Sequence, residues 1–168
     1  MPLNENALAL AADLGAALRA RNWRVTTAES CTGGLVAAAI TAVAGSSDWF
    51  ERGFVTYSNE AKHEMLGVPV TLIADRGAVS EAVAMAMAEG ARSRSGAQCA
   101  LSVTGVAGPG GGSAVKPVGM VCFGFVADGA PARVVTRHFA GDRAGIRAQS
   151  VVAALQGLLD LIGAARPP

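Results

Sequence analysis

From Asn6 to Ala20 the apolar side chains Leu8, Leu10, Ala11, Leu14, Ala17 and Leu18 recur at helical spacing, which predicts a first helix closing near Arg21 and Asn22. Trp23 to Ala28 reads as a strand, and Leu35 to about Val43 as a second helix broken by Gly45, Ser46 and Ser47. Gly53 to Tyr57 predicts a second strand. Ser58 and Asn59, both good caps, then open a helix from Glu60 to Leu66 that Gly67 and Pro69 stop. Ser80 and Glu81 start a further helix with Val79, Val83, Ala86, Met87 and Gly90 along its inner stripe. Gln98 to Thr104 is a buried strand. Val118 to Val126 and Arg133 to Phe139 flank Asp128-Gly129, a hairpin signal that predicts antiparallel pairing. The last helix starts near Asp142 and runs to about Ile162, with Leu155, Leu158, Leu159 and Ile162 on one face. Alternating helices and strands with a late hairpin predict a three-layer α/β/α sandwich, with a mixed, mostly parallel sheet of about five strands. Residues 1–168 read as a single domain.

Composition narrows this picture. The 35 Ala and 21 Gly make a third of the chain, so the core depends on close approach of elements rather than on bulk. The longest apolar run, Leu35 to Ala44, is too short for a membrane span and contains Thr41. Asn4, Glu5 and Asn6 stand where a signal peptide needs a positive segment, which predicts a cytoplasmic protein. Cys31, Cys99 and Cys122 form neither a CxxC pair nor an even set, arguing against a disulfide framework and a zinc site. A net charge of +1 offers no footprint for nucleic acid.

Four places carry candidate chemistry. Ser30, in Glu29-Ser30-Cys31-Thr32-Gly33-Gly34, lies between a strand and a helix start, where unpartnered N–H groups can hold an oxyanion. The plainer reading is that Ser30 or Thr32 caps the helix. Tyr57 and Lys62 bracket the start of the next helix, where the dipole and partial burial would lower a lysine toward the neutral form that a general base needs. An exposed Lys62 paired with Glu60 or Glu64 is the alternative. Gly105 to Gly112 can cradle a phosphate on backbone amides, or be a flexible surface loop. Arg143, behind the natural cap Asp142, can face an anion or solvent. His63 reads as a surface residue, and His138 alternates with apolar neighbours on a strand.

Seven segments then match one pattern in order and spacing. They are Ala28-Glu29-Ser30-Cys31-Thr32-Gly33-Gly34, Gly45-Ser46-Ser47, Tyr57-Ser58-Asn59-Glu60-Ala61-Lys62, Gly77-Ala78-Val79-Ser80, Thr104-Gly105-Val106-Ala107-Gly108-Pro109-Gly110-Gly111, Lys116-Pro117-Val118-Gly119 and Gly141-Asp142-Arg143. Together they resemble the CinA C-terminal domain family, from the first helix to about Ile162. The chain is similar to its stand-alone PncC-type members, nicotinamide-nucleotide amidohydrolases. The resemblance implies conversion of nicotinamide mononucleotide to nicotinate mononucleotide and ammonia, with no cofactor and no metal. It implies Ser30 as nucleophile with Lys62 as its base and Tyr57 orienting or relaying the proton. Cys31, Thr32, Gly33 and Gly34 would serve the oxyanion, and Thr104, Gly105, Gly108, Gly110 and Arg143 the substrate. A homodimer is expected, with no nucleic-acid or membrane partner. Since the family includes proteins named for competence or DNA-damage induction, a non-catalytic pyridine-nucleotide-binding module is the alternative.

Overall fold

The computed structural model of the chain describes residues 3–166. Helix α1 (Glu5–Arg21) begins where the Asn4 side chain accepts from the Asn6 N–H at 2.8 Å, and ends at Asn22 in the left-handed conformation. Its buried stripe of Ala7, Leu10, Ala11, Leu14 and Leu18 follows the predicted periodicity. After it come β1 (Val25–Glu29), α2 (Leu35–Thr41), a 3-10 turn (Ser46–Asp48), β2 (Phe50–Val55), α3 (Asn59–Leu66), α4 (Val70–Arg76) and α5 (Glu81–Ser95). The chain closes with β3 (Cys99–Gly105), β4 (Met120–Ala127), β5 (Arg133–His138) and α6 (Arg143–Ala164).

The sheet order is β2-β1-β3-β4-β5. β1 pairs parallel with both β2 and β3, whereas β3 with β4 and β4 with β5 pair antiparallel. Only β4 therefore runs against the other four. Residues of the central strands alternate between two cores. Val25, Leu101, Val103 and Phe123 face α1, α2 and α6, and Ala28, Ala100 and Val126 face α3, α4 and α5. The result is the expected three-layer α/β/α arrangement.

Two strand starts and one helix differ most from the sequence reading. β2 starts at Phe50 and ends at Val55, earlier than Gly53 to Tyr57, because it is a half-exposed edge strand with no apolar alternation to mark it. β1 starts at Val25 because the Trp23 N–H returns to Leu18 O and closes α1. Helix α4 was not expected. Pro69 stops nothing there; at φ −60° it serves as the N-cap of a new helix whose Ile73 fills the second core.

The topology also decides where a ligand can bind. β1 leads through α2, on one face, to β2 on its left, and β2 returns across the other face through α5 to β3 on its right. β1 is thus the switch point of the sheet, and a crevice opens beyond the carboxyl ends of β1 and β3.

Candidate active site

Ser30 follows β1 directly, and its N–H donates to Val103 O at 2.9 Å, so the last rung of the β1–β3 ladder fixes the serine. Lys62, the fourth residue of α3, points back toward the helix start and into the same crevice. Its Nζ lies 3.0 Å from Ser30 Oγ, 3.0 Å from Thr56 O and 3.2 Å from Tyr57 O. With 1% of its surface exposed and no carboxylate partner, Lys62 is not the solvated ion pair with Glu60 or Glu64 that was the alternative. Burial depresses its pKa below the ordinary lysine value.

The partner set can serve the neutral amine. An NH₂ group has two hydrogens and one lone pair, matching two carbonyls and one hydroxyl. Three acceptors can take all three hydrogens of the ammonium, and once the amine is neutral Thr56 O and Tyr57 O can keep two hydrogens while the lone pair serves the Ser30 hydroxyl. The neighbouring thiol does not compete. Burial pushes Cys31 up to about 11, so it stays protonated beside the serine.

Tyr57 stands differently from the relay expected of it. The side chain is 60% exposed, and its hydroxyl accepts from Arg143 Nη2 at 3.0 Å. Tyr57 reaches Lys62 through its backbone carbonyl alone among the described hydrogen bonds. Arg143, the first residue of α6, also donates to Gly108 O at 2.7 Å and so ties the phenol to the glycine-rich loop. The cap Asp142 accepts from the Gly145 N–H, as expected of it.

The crevice has a volume of about 300 Å³. Ser30, Cys31, Tyr57, Lys62, Thr104, Gly105, Gly108, Gly110 and Arg143 all line it. Thr32, Gly33 and Gly34 lie behind it and do not. Thr104 is turned away as a donor, since its Oγ1 gives its hydrogen to Ala78 O. The lining has no carboxylate, and Arg143 supplies a positive charge at its edge, which favours an anionic ligand. In the glycine-rich loop the N–H groups of Ala107, Gly108, Gly110, Gly111 and Gly112 donate to no acceptor within the described chain. Gly108 has φ +77°, and a Cβ there would meet Val118 Cγ1 at 2.5 Å, so this turn needs glycine.

Two residues that the sequence reading passed over prove central. The Glu29 carboxylate, 1% exposed, accepts from the Val36 N–H at 2.9 Å and the Ala37 N–H at 3.1 Å. It, rather than the Ser30 or Thr32 side chain, caps α2, while Thr32 contributes its carbonyl, which accepts from the Leu35 N–H. Arg147 donates through Nε to Cys31 O and through Nη2 to Thr32 O, each at 3.1 Å. Its spacing of four from Arg143 on a helix was the signal that could have found it. Among the described residues no cluster of His, Cys, Asp and Glu could hold a metal ion, and no helix is long and apolar enough to cross a membrane.

Comparison with known proteins places the whole domain. The profile of the CinA C-terminal domain matches residues 7–162. The nicotinamide-nucleotide amidohydrolase PncC of Enterobacter agglomerans is 57% identical over 152 residues, covering 89% of this chain and 92% of that protein. The protein of the same name from Escherichia coli K12 is 54% identical over 151 residues, covering 89% and 90%. The crystal structure of the competence/damage inducible protein CihA from Agrobacterium tumefaciens superposes with a TM-score of 0.92 at 44% identity, covering 96% of this chain and 98% of that one.

Proposed function

The chain belongs to the CinA C-terminal domain family, and on that premise we propose that it is a nicotinamide-nucleotide amidohydrolase that works through Ser30 and Lys62. The observation that carries the mechanism is the buried amine of Lys62, 3.0 Å from Ser30 Oγ, with two carbonyls and no carboxylate among its described hydrogen-bond partners.

Neutral Lys62 takes the hydroxyl proton as Ser30 Oγ bonds to the carboxamide carbon. The carbonyl oxygen becomes an oxyanion, for which the Cys31 N–H is free, since Cys31 lines the crevice and this N–H has no acceptor in the described chain. Lysine then gives its proton to the departing nitrogen, the C–N bond breaks, and ammonia leaves. The nicotinate ester on Ser30 is cleaved by water, whose proton Lys62 takes and passes to the serine oxygen. The 5′-phosphate of nicotinamide mononucleotide is met by Arg143 and the free amides of Ala107 to Gly112. Tyr57 serves by its carbonyl, which orients the amine, and by its phenol, which holds Arg143.

Ammonia release from nicotinamide mononucleotide by Ser30→Ala is the test. Turnover should fall at least about 10⁴-fold. Binding of the nucleotide should stay within about tenfold, roughly 1.4 kcal/mol, because little contact area is lost. Substantial turnover in the variant would remove Ser30 as nucleophile. A wild-type protein that binds the nucleotide and releases no ammonia would be a binding module instead.

A further inference from the structure

Arg147 is held like a part of the site, yet it does not line the crevice. It sits one turn into α6 and is half-buried, with its guanidinium beneath the nucleophile turn. A Cβ on Gly33 would lie 3.5 Å from its Nη2. Two parallel hydrogen bonds, to the carbonyls of Cys31 and Thr32, use the fork geometry that only arginine has.

Those bonds fix more than the two carbonyl oxygens. In a trans peptide the C=O and N–H point to opposite sides, so pinning Cys31 O toward α6 turns the Thr32 N–H away from α6. Pinning Thr32 O does the same to the Gly33 N–H, which is found donating to Ser30 O at 3.0 Å. The Ser30 carbonyl is thereby fixed as well, and with it the opposite direction of the Cys31 N–H. Thr32 O also accepts from the Leu35 N–H at 3.1 Å, so Arg147 shares that carbonyl with the start of α2 and is the only described side chain that holds Cys31 O, next to the unpartnered Cys31 N–H on the crevice lining. The other end of the turn is anchored by Glu29, which occupies the Val36 and Ala37 amides and leaves those of Cys31 and Thr32 free.

We propose that Arg147 is a positioning residue that fixes the Ser30–Cys31–Thr32 turn, and with it the aim of the Cys31 N–H, for oxyanion binding during acylation of Ser30. This rests on the assignment of Ser30 as nucleophile. Because Arg147 acts on a charge that exists only in the transition state, its removal lowers kcat and leaves KM in place.

The experiment is steady-state ammonia release from nicotinamide mononucleotide by Arg147→Ala and Arg147→Lys, with thermal melting of each. Removing a direct oxyanion donor costs about 10²–10³-fold in kcat, and an indirect effect should cost about 10–100-fold. KM should stay within about threefold. Arg147 also borders a neighbouring cavity of about 630 Å³, so the alanine variant leaves a site that free guanidinium ion can enter. Millimolar guanidinium should restore kcat several-fold in Arg147→Ala and not in Arg147→Lys, while sodium chloride at equal ionic strength restores nothing. Three results would overturn the proposal: an unchanged kcat, a raised KM with kcat intact, or a folded alanine variant that guanidinium does not rescue. If the alanine variant fails to fold, a lysine variant with unchanged kcat overturns it equally. The underlying assignment fails separately, through an active Ser30→Ala.

Discussion

Two loops face each other across the crevice, and they are built on opposite terms. In the nucleophile turn, from Ser30 to Gly34, the backbone is held by Val103 O, by Arg147 from α6 and by Ser30 O within the turn, and Glu29 anchors the helix beyond it. In the glycine-rich loop, from Ala107 to Gly112, five amides have no acceptor in the described chain, and Arg143 holds a single carbonyl. Proton transfer and oxyanion binding tolerate little displacement, so the first loop spends its hydrogen bonds on itself. A phosphate brings its own acceptors, so the second loop keeps its donors free. The contrast separates a rigid chemical half from an open binding half.

The sharpest break in that contrast is at Lys62. Lys62→Met keeps the length and apolar stem but removes the base, and ammonia release should fall about 10²–10⁴-fold with KM little changed. Stability should also depend on pH through this amine. Since folding lowers the lysine pKa, the unfolded chain holds a proton that the folded chain sheds. Wild-type stability should rise as pH increases from the folded-state value to the ordinary value of about 10.4, and the full cost of burial should persist below the folded-state value. The urea midpoint of Lys62→Met should lack this rise. A parallel rise in both proteins would place the titration elsewhere.

The binding half is tested by a pair of glycines. At Gly108 a side chain is strained by φ +77° and crowds Val118, whereas at Gly110 a Cβ meets nothing within 4 Å. Gly108→Ala should raise KM about tenfold while kcat stays within about threefold, in keeping with the roughly 1–3 kcal/mol of a forced backbone. Gly110→Ala should change either constant less than about twofold. Equal effects at the two positions would mean that loop shape does not govern substrate binding.

The same division explains what could be read from the sequence. The three layers, both hairpin strands and the caps Ser58, Ser80 and Asp142 were legible because periodicity and capping are local signals. Helix α4 was missed because a proline at its N-cap resembles a stop, and the limits of β2 were missed because an edge strand has no buried face to alternate with. Ser30, Tyr57 and Lys62 emerged from motif spacing, yet the direction of the Tyr57 phenol could not. Arg143, 86 residues away, turns it outward. Arg147 escaped notice because its partners are backbone carbonyls 115 and 116 residues away, and no residue type marks a carbonyl.

The central claim is that neutral Lys62 activates Ser30, and the pH dependence of kcat/KM for the wild type beside Lys62→Arg tests it most directly. A guanidinium keeps the positive charge and cannot lose its proton in this range. The wild type should rise on an acidic limb centred below the ordinary lysine value, since burial lowers this amine, and the arginine variant should release no ammonia at any pH. Near wild-type turnover in Lys62→Arg, with the same limb, would mean that position 62 supplies only charge and that another group takes the serine proton.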